Sequence, residues 1–452
     1  MALYLRHVPF GNDTVSYQDT IYALSSGGLP SGVATIRISG PLAKEACLRV
    51  SGRVPSPRNA SYLPLRDAEG QLLDRGLVMY FPGPASFTGE DSVEFQVHGS
   101  RAVVSAILAQ LGSFSGFRLA EAGEFSRRAF ENGKLDLVEI EGLGELINAD
   151  TQAQRKQALR FAEGGASARY QSWMETLSFA RAMIEAELDF SDEGDIPGAV
   201  SDQIWPQLET LLEEMNESLA GLHVHEIVRE GFRVVIVGPP NVGKSSLLNH
   251  LAKRDVAIVT DIAGTTRDVI AVDLDLGGVK ICLVDTAGIR DTEDPVERAG
   301  IERTSRELDK ADLVLVLDSG EADGVLQLHA DVETLRVRTK VDLDRDVSLG
   351  GYDLAISVKT GDGVDSLLER IQSVAARYSQ ASEGSIVLNQ RHKEHVENSV
   401  RFLAAALTQK GEGLELTAEY LRNAADELGR ITGVVSADAL LGVIFSKFCV
   451  GK

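Results

Sequence analysis

The spacing of hydrophobic positions changes several times along the chain. Up to about residue 134 it alternates. In 32–39, Ala34, Ile36 and Ile38 share one face and Arg37 takes the other; in 92–98, Val93, Phe95 and Val97 oppose Glu94, Gln96 and His98. A turn at 67–70 leads into a strand through 77–80, and 102–111 reads as a helix, so the segment is a mixed α/β domain. From about residue 135 the period becomes helical. Trp173, Leu177, Ala180, Ile184 and Leu188 form one stripe; Ile204, Leu208, Leu211, Met215, Leu219 and Leu222 form another after a break at 194–198. At Gly231 the pattern turns to short apolar strands separated by turns and helices, and this holds to about Tyr378. Residues 379–384 read as a linker, after which Val396, Val400, Leu403, Leu407, Leu421, Ala424 and Leu428 resume the helical stripe. The expected arrangement is an α/β head (1–134), a helical domain in two segments (135–230 and 383–452), and an α/β module (231–382) inserted between them. Insertion is tolerated where the ends of the inserted unit lie close together.

A chain of 452 residues with 44% hydrophobic and 25% charged residues is expected to hold two or three ordinary globular domains. Its net charge of -22 argues against a protein that coats nucleic acid non-specifically, while leaving room for a local basic patch. Cys47, Cys282 and Cys449 form neither a paired framework nor a metal spacing, which points to a reducing compartment. Neither a signal segment nor a membrane-spanning apolar run is legible, so the cytoplasm is the default location and no membrane partner is expected.

The inserted module carries the chemistry. Gly238-Pro239-Pro240-Asn241-Val242-Gly243-Lys244-Ser245 fits G-x-x-x-x-G-K-[ST], between a strand at 232–237 and a helix from Ser246. Backbone amides of such a loop cradle phosphates, with Lys244 reaching the β/γ-phosphates and Ser245 binding Mg2+. Thr260-Asp261-Ile262-Ala263-Gly264-Thr265-Thr266 follows. A threonine there, Thr266 by position, can offer its hydroxyl to Mg2+ and its amide to a γ-phosphate, a contact that exists only with a triphosphate. A strand then ends in Asp285-Thr286-Ala287-Gly288, where Asp285 steadies Mg2+ and Gly288 approaches the γ-phosphate. In Thr339-Lys340-Val341-Asp342 the carboxylate can accept from both N1–H and the 2-amino group of guanine, and Ser357-Val358-Lys359 covers the base. Ile289 occupies the position where Ras-type GTPases use a water-orienting Gln, so another group must orient the water. The acids Asp291, Glu293, Asp294 and Glu297 are available, although each alone also reads as a solvated loop residue.

The order of these motifs, together with the terminal Phe448-Cys449-Val450-Gly451-Lys452, resembles the MnmE (TrmE) family of bacterial tRNA-modification GTPases over essentially the whole chain. The resemblance implies an α/β folate-binding head that forms a homodimer, and a Ras-like P-loop GTPase domain inserted in a helical domain. Its G domains would be activated by K+ held by Asn241, Thr260, Ile262 and Thr265, with Glu297 positioning the water. It implies a tetrahydrofolate derivative (5-formyl or methylene) held by Arg37, Glu94, Lys134 and Lys452, with Cys449 as a candidate catalytic thiol; Cys47 and Cys282 read as core residues. It further implies a flavin-dependent partner, MnmG, in a heterotetramer, and tRNA whose wobble uridine receives an aminomethyl or carboxymethylaminomethyl group at carbon 5. Three features depart from the family pattern, one of them an N-terminal extension of the head. Thr339 replaces an Asn, which is expected to weaken nucleotide binding, and Leu29-Pro30-Ser31-Gly32 replaces a turn richer in Gly and Arg. The alternatives are a ribosome-assembly GTPase and a regulatory GTPase with an inert head; neither performs modification chemistry.

Overall fold

A computed structural model of the chain describes residues 18–189, 203–258, 271–285, 307–320, 332–343, 350–381, 386–387, 389–409, 413–435, 444–445, 448 and 451. The chain forms two compact units, Met1–Gly144 with Gly429–Lys452, and Glu145–Leu428.

The first unit is built on a six-stranded sheet. Its strands are β1 (Thr20–Leu24), β2 (Ser31–Ser39), β3 (Ser61–Arg66), β4 (Leu72–Phe81), β5 (Ser92–Gly99) and β6 (Phe117–Leu119), in the order β3-β4-β5-β2-β1-β6. All neighbours are antiparallel except β1 and β6. The alternation expected from the sequence sets the faces. Ala34, Ile36, Ile38, Val93, Phe95 and Val97 are buried beneath α1 (Ala43–Ser51) and α2 (Arg101–Gly112), together with Ala46, Cys47, Val104 and Ile107. Ser100 caps α2 by accepting from the Val103 amide at 3.1 Å, satisfying one of the four orphan donors of a helix start. The opposite face carries Arg37 and Glu94 and is partly covered by α3 (Glu124–Glu131), whose Phe125 packs with Ile21 and Ala23. Arg128 of α3 is fully buried, yet it faces the carboxylates of Asp19, Glu90 and Glu124 at 2.9–3.1 Å. A buried guanidinium is tolerated only with such pairing. In α4 (Leu137–Ile147), Leu137 and Ile140 pack with Ile444 and Phe445 from the far end of the chain.

The second unit joins a helical part to a second sheet. The helical part comprises α5 (Gln152–Ala162), α6 (Gly165–Asp189), α7 (Trp205–Ala220) and α8 (Leu222–Glu230). The stripe Trp173, Leu177, Ala180 and Ile184 is buried in α6. The stripe read from Ile204 to Leu222 is divided between α7 and α8 at Gly221. The proposed break at 194–198 lies outside the described residues. The sheet contains β7 (Phe232–Val237), β8 (Ala271–Leu276), β9 (Val279–Asp285), β10 (Leu313–Asp318), β11 (Glu333–Arg338) and β12 (Leu354–Ala355), in the order β12-β11-β10-β7-β9-β8. It is parallel apart from the β8–β9 hairpin. Buried on both faces, β7 and β10 read as continuous apolar runs, as parallel strands do. α9 (Lys244–Leu251) follows β7, and α10 (Val364–Ala381) closes the module. α10 runs on through Ala381, into the stretch read as a linker, because Ser-Gln-Ala contains no helix breaker. The second helical stretch returns as α11 (Gln390–Thr408) and α12 (Leu414–Thr432). Among the described residues no helix is long and apolar enough to cross a membrane.

Candidate functional site

A phosphate-binding loop must expose several amides in one concavity, which requires backbone that ordinary residues avoid. Gly238 takes φ +152°, and a Cβ there would lie 2.3 Å from the Leu317 carbonyl. Asn241 is left-handed at φ 62°, and Gly243, the N-cap of α9, takes φ 107° with open space where a side chain would point. This is the strand, tight turn and helix start that the motif predicts. Val242 is buried and anchors the loop in the core of the sheet. The Lys244 ammonium is folded back over the loop, donating to the Gly238 carbonyl at 2.5 Å and the Pro239 carbonyl at 2.9 Å. Ser246 is exposed on the first turn of α9.

Two oxygens stand ready for a divalent cation. Ser245 Oγ donates to Asp285 Oδ2 at 2.9 Å, and Asp285, at the end of β9, is only 2% exposed. A hydroxyl and a buried carboxylate beside a phosphate loop suit a hard cation such as Mg2+. Thr260, Asp261, Ile262, Ala263, Gly264, Thr265, Thr266, Thr286, Ala287, Gly288 and Glu297 lie outside the described residues.

The second cluster of candidate residues is formed where β11 and β12 stop. Asp342 Oδ1 accepts from Ser357 Oγ at 2.8 Å, and the Lys359 ammonium lies 4.0 Å from Asp342 Oδ2. Val358 is half-buried against the core of the sheet. Lys340 is left-handed at φ 58°, which turns the chain so that Asp342 faces Ser357. Thr339 is buried; its hydroxyl donates to the Val242 carbonyl in the phosphate loop at 2.8 Å, and the Asp318 carbonyl lies 3.3 Å from the same oxygen. The departure at this position therefore still ties the base end to the phosphate end. Thr339→Val is expected to leave that buried carbonyl without its donor and to weaken nucleotide binding by about 1–3 kcal/mol. Calorimetric titration with GDP checks this; an unchanged affinity would mean that the bond contributes nothing.

On the outer face of the first sheet, Arg37 and Glu94 stand opposite each other in register, with Nη2 to Oε1 at 2.9 Å and Nε to Oε1 at 3.0 Å. The Arg37 guanidinium is flanked by the rings of Phe87 (5.3 Å) and Phe125 (5.8 Å). Neither aromatic is legible as part of a site, since each reaches Arg37 from an element distant in sequence, Phe125 from α3 and Phe87 from the loop before β5. Lys134 is exposed, its amide donates to the Ala129 carbonyl at 2.8 Å, and its stem passes near Gly89. Cys449 and Lys452 lie outside the described residues. Gly451 is described, and its carbonyl accepts from Ser25 Oγ at 2.8 Å, where the chain leaves β1. The thiol of Cys47 is buried and shifted upward by that burial; Cys282, expected in the core, is only half-buried because it points to the other face of β9 from Ile281 and Leu283, and it is pushed up to about 12 by burial and the nearby Asp273 carboxylate. Both are poor nucleophiles.

Comparison with known proteins matches residues 20–134 to the family described as GTP-binding protein TrmE N-terminus and residues 137–449 to the MnmE helical domain. The "tRNA modification GTPase MnmE" of Rhizobium johnstonii is 51% identical over 435 residues, covering 96% of this chain and 99% of that one. That of Sinorhizobium medicae is 52% identical over 444 residues, covering 97% and 100%. The chain belongs to the MnmE family of tRNA modification GTPases. Among solved structures, a variant of Aquifex aeolicus Era bound to GDP.AlF4- aligns over 31% of this chain and 56% of that one, with 26% identity and a TM-score of 0.25. The two family matches together cover the N-terminal TrmE segment and the rest of the chain through residue 449.

Proposed function

We propose that the chain is a K+-activated GTPase that acts with a flavin-dependent MnmG partner. It would install aminomethyl or carboxymethylaminomethyl groups at carbon 5 of the tRNA wobble uridine, using a tetrahydrofolate one-carbon donor. The observation that carries this reading is the alignment of phosphate loop, Ser245–Asp285 pair and Asp342–Ser357 pair at the strand ends of one sheet. In this reading the domains divide as 1–134, 135–230, 231–382 and 383–452, and the head forms a homodimer.

Mg2+ and K+ would supply charge neutralisation at the β/γ-phosphates. Among its own residues, the chain offers Ser245 and Thr266 for Mg2+, and Asn241, Thr260, Ile262 and Thr265 for K+. The phosphate-loop amides and Lys244 hold the triphosphate in place, where hydrogen-bond donors act on the charge that develops in the transition state. Asp342 selects guanine, while Thr339 fixes the distance between base and phosphate ends. Glu297 orients the attacking water. Hydrolysis is expected to run roughly tenfold or more faster in K+ than in Na+ at equal ionic strength; equal rates in a phosphate-release assay would remove the cation from the mechanism.

The Arg37–Glu94 pair suits a pterin, which presents adjacent N–H donors to a carboxylate and a carbonyl oxygen to a guanidinium. Lys134 and Lys452 would meet the cofactor's carboxylates, and Cys449 is the candidate thiol for the carbon chemistry. Arg37→Ala is expected to cost about 1.5–3 kcal/mol of binding for labelled 5-formyl-tetrahydrofolate. Equilibrium dialysis with the full chain checks this, and undiminished binding would separate Arg37 from the cofactor.

Mass spectrometry of wobble uridines in tRNA from cells lacking this gene, with and without the gene restored, tests the whole reading. Loss and recovery of the modified base is the expected result. An unaltered uridine profile would instead favour a GTPase switch without modification chemistry.

A further inference from the structure

Besides the packing of α8 on the second sheet, in whose core Ile227 is buried, the turn of the β8–β9 hairpin makes a polar contact with the helical part. Gly277 and Gly278 are both left-handed, at φ 65° and 86°, as the tightest hairpin turns require. The Gly278 carbonyl accepts from the Ala153 amide at 3.0 Å. That amide lies in the first turn of α5, where no intrahelical acceptor exists. The same end of α5 is held by a capping box between Thr151 and Gln154, and Gln154 Nε2 donates to the Arg229 carbonyl on α8 at 2.9 Å. Lys280 completes the joint. Its ammonium lies 2.9 Å from Asp150, just before α5, and 3.1 Å from Asp273 on β8, and its side chain is largely shielded from water.

Lys280 is the second residue of β9, and the last residue of that strand is Asp285, which accepts from Ser245 in the phosphate loop. One strand therefore runs from the cation-binding end of the nucleotide site to the joint, a span of about 20 Å. It is hydrogen-bonded on both sides, to β7 and β8, so it moves as a stiff element. A rigid element is what transmits a small displacement over such a distance.

We propose that β9 carries nucleotide state from the phosphate loop to the helical part of the unit, and that Lys280 is the positioning residue that couples the hairpin to α5. The inference rests on the guanine-nucleotide reading above but not on tRNA modification.

The chain contains two tryptophans, Trp173 and Trp205, in α6 and α7. Intrinsic tryptophan emission therefore reports on the helical part alone. The full chain is titrated with GDP and with a non-hydrolysable GTP analogue in Mg2+ and K+, with occupancy followed by calorimetry. The wild type is expected to give different emission in the two states. Lys280→Met is expected to bind both nucleotides with wild-type affinity and to lose the difference, and Lys280→Arg is expected to restore it. Asp150→Asn leaves Lys280 paired with Asp273 inside the hairpin and should show the same loss, which guards against a fold defect in Lys280→Met. A difference retained in both Lys280→Met and Asp150→Asn would overturn the proposal, as would a saturated wild type with identical emission in both states. Failure of the nucleotide reading itself looks different, because calorimetry would then show no binding at all.

Discussion

Asp342→Asn is expected to convert the chain from a GTP-selective to a xanthosine-triphosphate-selective hydrolase. Guanine presents two adjacent donors, N1–H and the 2-amino group, and an ionised carboxylate accepts from both. An asparagine amide at the same place has one acceptor and one donor, so one guanine donor faces a donor. Xanthine carries an oxygen in place of the amino group, and the amide then matches it. Two charge-assisted bonds are affected, each contributing about 1.5–3 kcal/mol, so GTP affinity should fall by roughly 100-fold or more. The surrounding geometry survives the change. Ser357 Oγ, 2.8 Å from Asp342 Oδ1, can still donate to the amide oxygen, and the turn at Lys340 is set by backbone. The ratio of kcat/KM for GTP to that for the xanthine nucleotide is the measurement. A variant that still prefers GTP would remove Asp342 from base recognition.

Gly451→Ala is expected to abolish most tRNA modification while leaving GTP hydrolysis near wild type. Gly451 takes φ +99°, and a Cβ there would sit 2.3 Å from the Leu24 carbonyl and 3.0 Å from the Ser25 Cα, both backbone atoms that cannot swing aside. Strain of ~1–3 kcal/mol lowers the equilibrium constant for seating the C-terminal end roughly 5- to 150-fold. The seat matters because of where it is. Leu24 pairs with Ile36 and Ala23 with Arg37, so Gly451 is held beside the strand pair that carries the proposed folate residue. Ser25→Ala removes only the 2.8 Å bond to the Gly451 carbonyl and should have a smaller effect in the same direction. Modification is read by mass spectrometry of the wobble uridine and hydrolysis by phosphate release. Full modification by the Gly451→Ala chain would show that the seat does not serve the reaction.

The motifs at the nucleotide site were legible because each is contiguous. A strand, a turn and a helix start need only a short run of chain, and Gly238 to Ser245 supplies the glycines and the lysine together. The alternation of Ala34, Ile36 and Ile38 was equally legible, since a strand with one buried face must repeat every second residue. Local pattern misled at Ala381, where helix α10 continues through Ser379-Gln380-Ala381 with no large apolar residue to mark its face, and at Gly221, where one stripe spans two helices. The three-residue strand β6 gave no signal of its own, because it is completed by β1, about a hundred positions earlier in the chain.

Neighbouring residues alone dictate the inventory of parts: a guanine-type loop set in fixed order, an alternating head, and helical stripes on either side of the inserted module. Those features arise from interactions between residues a few positions apart, where backbone geometry leaves few choices. Which distant groups meet is settled by the folded chain. Arg37 and Glu94, separated by 57 positions, become a pair because β2 and β5 are neighbours in register. Ser25 and Gly451, separated by 426, meet because the end of the chain packs on the first sheet. Thr339 reaches the phosphate loop 97 positions away because β11 ends beside it. No periodicity encodes such contacts, since they depend on strand order and on the packing of whole elements.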